Sequence, residues 1–291
     1  MKRLGEGIIV FIVFVLAGGV AQGANIALLL PNTLFSGVVD PIEFPEDKEF
    51  LLETLEIEEP GLHWLVLHLE NDLGHTVNMY DSGQDVPIDV EEANDLIFIS
   101  EALGSGTIGT DYVLSTKPIV SEELFLMDEF GFTTGSAYTG GASSPGMEIT
   151  IVDTDHPITQ GLPETFSVTV DDPETGEPIV GTFGVVTDTS ILQAGDVLAV
   201  LPTSVDHSAE GAALPDNSPT VIVADAGSSL GNDVRWVFLG YSDVPPNPAV
   251  AGVEETRTMA HLTEPAIRFL DNIIAWALGE DITSVENWSL W

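Results

Sequence analysis

Glu101 and Glu122 have the strongest claim to chemistry in this chain, because each directly follows a short apolar run of strand character. Two carboxylates at neighbouring strand ends can divide a proton for acid–base work or share a divalent cation. Ser121, beside Glu122, would act as a nucleophile if a strained turn exposed its hydroxyl and a histidine took the proton. His156 is flanked by Asp153 and Asp155, a donor set suited to a divalent ion. A turn built on Asp and Pro explains the same residues more simply. Gly104-Ser105-Gly106-Thr107-Ile108-Gly109 matches G-x-G-x-x-G after a strand, but that strand is the third and no helix is evident behind it. It reads as a loop at a crevice mouth, with Gly104 and Gly106 bordering a ligand. Asp171 to Glu177 (DDPETGE) offers calcium ligands without EF-hand spacing, so a solvated turn is the plainer account. His63 and His68 point to different helix faces and form no joint site.

These groups need a scaffold, and the hydrophobic pattern supplies one. Asn25 to Leu30 (NIALLL) predicts a buried strand. Glu46 to Glu56 and Leu62 to Leu73 carry helical spacing, the second ending at Gly74. Strands are expected at His75 to Tyr80, Asp95 to Ser100 and Pro118 to Val120, then a helical stretch at Leu124 to Phe130. Strands alternating with helices argue for βαβ units and a parallel sheet. From Ile149 the texture becomes strand-rich: ITIVD, then FSVTV and IVGTFGVV as a hairpin elaboration over 165–186, then Val197 to Leu201 and Thr220 to Ala224. Arg235 to Tyr241 is the last strong strand. Glu264 to Leu278 is an amphipathic helix with Ile267, Leu270, Ile273, Ile274 and Ala277 on its core face. Ligands of open α/β sheets bind beyond the strand carboxyl ends. That rule selects Ser100, Glu101, Ser121, Glu122, Asp153, His156 and Tyr241 as one crevice.

Composition limits the partners. The chain has 291 residues, 47 acidic against 7 basic, and a formal charge of −40. Such a field repels phosphate backbones and anionic lipid, so neither nucleic acid nor a membrane surface is an expected partner. Cations are the natural partners of such a field. Hydrophobic content of 44% separates the chain from acidic disordered proteins. There is no cysteine, which removes disulfides, thiolate metal ligands and a cysteine nucleophile together. No cofactor is expected, a divalent cation is compatible with the charge, and the oligomeric state is left open.

Met1-Lys2-Arg3, the apolar run Ile8 to Val20 and the small-x-small Ala21-Gln22-Gly23 read as a signal peptide over 1–23. The run falls short of the ~20 apolar residues of a membrane span. The expected location is therefore secreted or periplasmic, with one domain over 24–279 and a tail over 280–291.

The segment DHPITQGLP, Asp155 to Pro163, resembles the HPI-x-x-GLP signature of ThuA-like (trehalose-utilisation type) domains. These belong to the class I glutamine-amidotransferase-like superfamily. NIALLL, LGHTVNMYD, NDLIFISE, RWVFLGY and FLDNIIAWALG agree with it in order, over about Asn25 to Gly279. The resemblance implies an α/β fold with a flavodoxin-like, doubly wound, mostly parallel sheet. It also implies a nucleophile elbow after a central strand, where this chain has Pro118-Ile119-Val120-Ser121-Glu122-Glu123 and neither the cysteine nor the elbow glycines. Glutamine hydrolysis by a thiolate is ruled out. His261 lies late in the chain, where the superfamily places its histidine, although Glu264 three residues on is more simply read as part of a helix start. The resemblance, with the nucleophile missing, implies a domain that binds a small polar ligand such as carbohydrate at the strand carboxyl ends. A hydrolase of sugars or esters and a non-catalytic envelope domain are the alternatives.

Overall fold

The structure is a computed structural model that describes residues 23–38, 41–83, 85–134, 139–145, 148–172, 175–176, 179–186, 188–201, 216–242 and 258–282. The predicted signal segment before Gly23 and the tail from 283 onward lie outside the described residues. No helix among the described residues is long and apolar enough to cross a membrane.

The first half alternates as its pattern predicts. Strand β1 (Asn25–Leu30) is followed by α1 (Pro45–Glu58) and α2 (Pro60–Leu67), and α2 continues as a π-helical turn over His68–Asp72. Then come β2 (Thr76–Asp81), α3 (Pro87–Ala93), β3 (Leu96–Ile99), the short α4 (Ser105–Ile108) and β4 (Ile119–Ser121). The second half adds β5 (Thr139–Pro145), β6 (Glu148–Ile151), β7 (Thr165–Ser167), β8 (Val180–Val186), β9 (Asp196–Leu201) and β10 (Ser218–Ala224). It closes with β11 (Trp236–Leu239), β12 (Tyr241–Ser242) and α5 (Glu264–Leu278).

Nine strands form one sheet in the order β2-β1-β3-β4-β11-β10-β9-β6-β7. The pairs β2–β1, β1–β3, β3–β4 and β4–β11 are parallel, giving the 2-1-3-4-5 order of a flavodoxin-like sheet. The remaining four pairings are antiparallel, so the sheet is mixed rather than mostly parallel. Connection length explains the change. Asp225 to Arg235 is too short for a crossover helix, and a parallel pair needs about a dozen residues or more to cross over. The link is instead a braced hairpin in which Asn232 Nδ2 donates to the carbonyls of Asp225 (3.1 Å) and Val234 (2.5 Å).

The sheet is covered on both faces. Ile26, Leu28, Phe98, Val120 and Val237 pack with Leu51, Leu65, Phe269 and Ile273 of α1, α2 and α5. On the other face Ala27, Leu29, Ile97, Ile99 and Phe238 pack with Val90 of α3, Ile108 of α4, Phe130 and Phe132. Alternate residues of each central strand serve opposite layers, which is why these strands read as continuous apolar runs. Leu124 to Phe130 forms a 3-10 turn over Leu124–Leu126 and then turns, where the spacing predicted a helix.

FSVTV and IVGTFGVV do not pair as one hairpin. Strand β7 joins β6 at the edge of the large sheet, whereas β8 joins β5 and β12 in a separate three-stranded sheet. Among the described residues the base of the expected hairpin forms, through Ile179 N–H to the Val170 carbonyl at 3.1 Å. Gly240 lets RWVFLGY leave one sheet and join the other. A Cβ there would stand 2.1 Å from Thr220 Oγ1 and 2.5 Å from the Gly184 carbonyl oxygen.

Both edges of the large sheet are occupied. At β2, Glu70 Oε1 accepts the Val77 N–H at 3.0 Å and Lys48 Nζ donates to the Val77 carbonyl at 2.9 Å. Beyond β7, Thr263 N–H donates to Val168 O at 2.8 Å and Val170 N–H to His261 O at 2.9 Å. Unpaired edge groups invite another strand, and these contacts cover part of each edge.

Candidate functional site

Parallel pairing aligns the strand ends. Ile99 registers with Ser121, and Ser121 with Phe238, so Ser100, Glu122 and Leu239 follow in one row across β3, β4 and β11. Neighbouring strands are about 4.8 Å apart, which makes these near neighbours. The expected adjacency of the strands ending at Glu101 and Glu122 therefore holds. Glu122 N–H donates to Ile99 O at 2.9 Å, extending the ladder one residue past β4 and fixing the backbone of Glu122 at the sheet's rim. Glu122 is buried and Glu101 is half-buried.

Two hydroxyls past these strand ends are notable for what they lack, Ser100 directly after β3 and Tyr241, which the Arg235–Tyr241 pattern put at the end of one strand but which opens β12 in the smaller sheet. Ser100 and Tyr241 are both 0% exposed, and neither Ser100 Oγ nor the Tyr241 phenol has a hydrogen-bond partner among the described residues. Tyr241 rests edge-on against Phe183, ring centroids 5.7 Å apart, and burial pushes its phenol far above the usual range. Ser82, just past β2, likewise has a buried Oγ with no partner among the described residues. A buried polar atom without a partner costs about 1–3 kcal/mol, so a group of them marks a place where stability has been given up.

Ser121 is different. Its hydroxyl is buried and donates to the Glu123 carbonyl at 3.3 Å, and no histidine among the described residues bonds to it. His261 lies just before α5, its carbonyl tied to Val170, and the charge acting on its ring is that of Asp172. Burial holds that imidazole below its ordinary value. The Ser121–His261 pairing is thus not formed, because β4 turns Ser121 into the packed layer while β7's extension captures the His261 segment.

His156 is the clearest correction. Counting strand directions outward from β4, β11 is parallel, β10 reversed, β9 parallel again and β6 reversed. The end of β6 therefore lies where the parallel strands begin, at the opposite edge from Glu101 and Glu122. Contacts agree: the His156 ring lies 5.2 Å from Trp276, and Arg235, just ahead of β11, stacks on Trp276 at 4.8 Å and donates to its carbonyl. His156 Nδ1 accepts the Ile158 N–H at 3.2 Å as a helix cap, and Asp153 Oδ1 accepts the N–H groups of Asp155 and His156. Burial lowers the His156 pKa, keeping it the neutral acceptor this cap requires. Asn272 Nδ2 donates to Ile158 O at 2.8 Å, so the DHPITQGLP segment clamps α5 to the sheet. Asp153 Oδ1 and His156 Nδ1 are both engaged in the turn.

Gly104 caps α4 and Gly106 lies within it, and a Cβ at either would meet nothing within 4 Å. No backbone crowding requires these glycines, and a four-residue helix is no phosphate cradle. Asp172 Oδ1 accepts the Thr175 N–H at 3.1 Å in a turn, as the plainer reading had it. Among the described residues, no three His, Asp or Glu side chains converge as a metal site.

Composition did not single out Glu123. It is 5% exposed and caps the turn after β4, its Oε1 accepting the Phe125 N–H at 2.8 Å. Burial pushes its carboxyl up to about 7, with Glu129 adding to the shift against the opposing Phe125 bond. Its neighbours Leu124 to Met127 form an apolar lid on the strand end, the one signal that could have flagged it.

No family model matches the chain, and no curated protein matches it. Among solved structures it is similar to a protein described as ThuA-like from Bacteroides uniformis, at 12% identity over 88% of this chain and 92% of that one, TM-score 0.47. A second, from Parabacteroides merdae and described in the same way, shares 12% identity over 89% and 92%, TM-score 0.45. A protein from Thermoplasma acidophilum described as part of a GMP synthase shares 10% identity over 87% and 96%, TM-score 0.40.

Proposed function

We propose that the protein is an exported ThuA-like domain that binds a small polar ligand, of the carbohydrate class, at the carboxyl ends of β3, β4 and β11. The observation that carries this reading is a pair of buried hydroxyls past these strand ends, Ser100 just after β3 and Tyr241 two residues after β11, with no partner among the described residues. Polar groups left unmet in a packed layer cost stability, and functional sites are where such costs persist. Glutamine amidotransfer is no part of the proposal, since the chain has no cysteine to supply the thiolate. A divalent cation remains a compatible companion to Glu101 and Glu122. The export reading rests on the sequence of residues 1–23.

Titration against a panel of sugars and glycans, using the wild type with Glu101→Ala and Glu122→Gln, tests the proposal. The expected result is binding that weakens in both variants. Binding indifferent to both would remove the site from this crevice.

A further inference from the structure

Ala24 is anchored through its own backbone nitrogen. That N–H donates to His75 Nδ1 at 3.1 Å, and the Ala24 carbonyl accepts the Thr76 N–H at 2.9 Å. Asn25, the first residue of β1, registers with Thr76, and its N–H donates to Asp95 Oδ2 at 2.9 Å. Residue 24 is therefore fixed where the parallel strands begin, at the opposite end of the sheet from the crevice. Its surroundings suit a cation better than an amide. The π-helical turn ends at Asp72, shortly before Gly74, and Glu280 follows the end of α5. Helix carboxyl ends carry partial negative charge. Burial holds the His75 imidazole below its ordinary value, so Nδ1 stays a neutral acceptor. The carboxylates of Glu280 and Asp271 also act on this ring, and the charge of His68 opposes them. A Cβ on Gly23 would stand 1.8 Å from the Gly74 carbonyl oxygen, so a second acceptor borders the space that Gly23 fills.

Hydrolysis of the Gly23–Ala24 peptide bond, the cut that the export reading requires, changes this nitrogen. Water places its hydroxyl on the Gly23 carbonyl carbon and a hydrogen on the Ala24 nitrogen. The new carboxyl gives up its proton and the amine holds one, since an α-amine titrates at about 8. Resting on the export reading alone, we infer that signal removal creates a structural ammonium at Ala24, seated on His75 Nδ1 and the Gly74 carbonyl, which ties β1 to the helix ends beside it. The precursor makes the His75 contact as a neutral amide with a single hydrogen. The processed chain makes it with a charge, near the carboxylates of Asp95, Asp271 and Glu280, and charge-assisted hydrogen bonds are the stronger kind. With 47 acidic and 7 basic residues in the chain, the wider field also favours a new cation.

Thermal melts at about pH 7, where an α-amine is mostly protonated, test this on three chains. They are residues 24–291 with a free amine, the same chain N-acetylated, and residues 22–291, which carry the amine on Gln22 instead. The chain with its amine on Ala24 should melt about 2–4 °C higher than the other two. That advantage should vanish at about pH 10, where the amine is neutral. It should vanish also in His75→Leu, and survive in His75→Asn, whose amide oxygen replaces the Nδ1 acceptor. Equal melting of the three chains at about pH 7, or an advantage that persists at about pH 10, would overturn the inference while leaving the export reading intact. So would an advantage that persists in His75→Leu. The export reading has its own check in the mass of the protein released by cells that express all 291 residues. A mass that starts at Ala24 supports it. Retention of residues 1–23, or a cut at another bond, removes the Ala24 ammonium and the inference with it.

Discussion

His68 Nε2 lies 2.7 Å from Asp271 Oδ1, while the other ring nitrogen, Nδ1, lies 2.9 Å from Asp72 Oδ2. Carboxylates only accept, so both nitrogens must donate, and the ring is an imidazolium held between the π-helical turn and α5. Burial alone would lower its pKa, but the hydrogen bonds and charges of Asp271 and Asp72 outweigh it and the net direction is up. Trp64 stacks on the ring at 4.7 Å and helps to shut out water.

The sign of the pH effect follows. His68 is raised from 6.5 on folding, so its contribution is complete below about pH 6.5 and is lost as the pH rises through the folded value. Denaturant melts from pH 6 to pH 9 should show falling stability in the wild type and a flatter profile in His68→Gln. Asp271→Asn, which strands a buried positive ring, should cost about 3 kcal/mol at pH 6.

Glu123 changes stability in the same direction for a different reason. Its carboxyl rises from 4.5 to about 7 because burial penalises the charged form, so its contribution to stability is full below pH 4.5 and is lost as the pH rises from there through 7. Glu123→Gln should remove this loss, gaining up to about 3 kcal/mol above pH 7. Carbon-13 titration of the side chain reads the midpoint directly, and a midpoint near 4.5 would contradict the burial argument.

The His156 segment is expected to matter for stability alone. His156→Ala loses a cap and should cost about 1 kcal/mol. Asn272→Ala frees two carbonyls of the same turn, those of Ile158 and Gln160, and should cost about 1–3 kcal/mol. Sugar titration should give unchanged affinity for both variants, because this end of the sheet is opposite the crevice.

Gly240→Ala tests the crossing of the two sheets. The added methyl collides with Thr220 Oγ1 and two backbone oxygens, so overpacking of about 3 kcal/mol or more is expected. Far-UV spectra and melts should show a marked loss, and binding should fall with it, since Gly240 also sets the position of Tyr241.

Ser121→Ala should leave binding intact and alter stability by about 1 kcal/mol. The wild type should also resist serine-directed fluorophosphonate, as the hydroxyl is buried and committed to Glu123 O.

The sequence alone determined the local elements that carry their own signal. NIALLL, DLIFIS and RWVFLGY are strands because both faces are buried, and α5 is helical because its stripe, the Thr263 cap and Gly279 in the left-handed region agree. It also put Ser100, Glu101 and Glu122 at strand ends, while the parallel pairing of β3 with β4 is what brings Ser100 and Glu122 side by side. What it could not carry was strand direction in the second half. HPI-x-x-GLP looks like a site because its residues are chemically capable, yet only the succession of antiparallel pairings decides which end of the sheet they occupy. Strand β5 (TGGASSP) was invisible for a related reason, having no hydrophobic alternation and being a strand only because β8 pairs with it. Direction and partnership are non-local properties of a sheet. So is the lack of a partner for Ser100 and Tyr241 among the described residues, for a hydroxyl's partners depend on the whole packed layer around it.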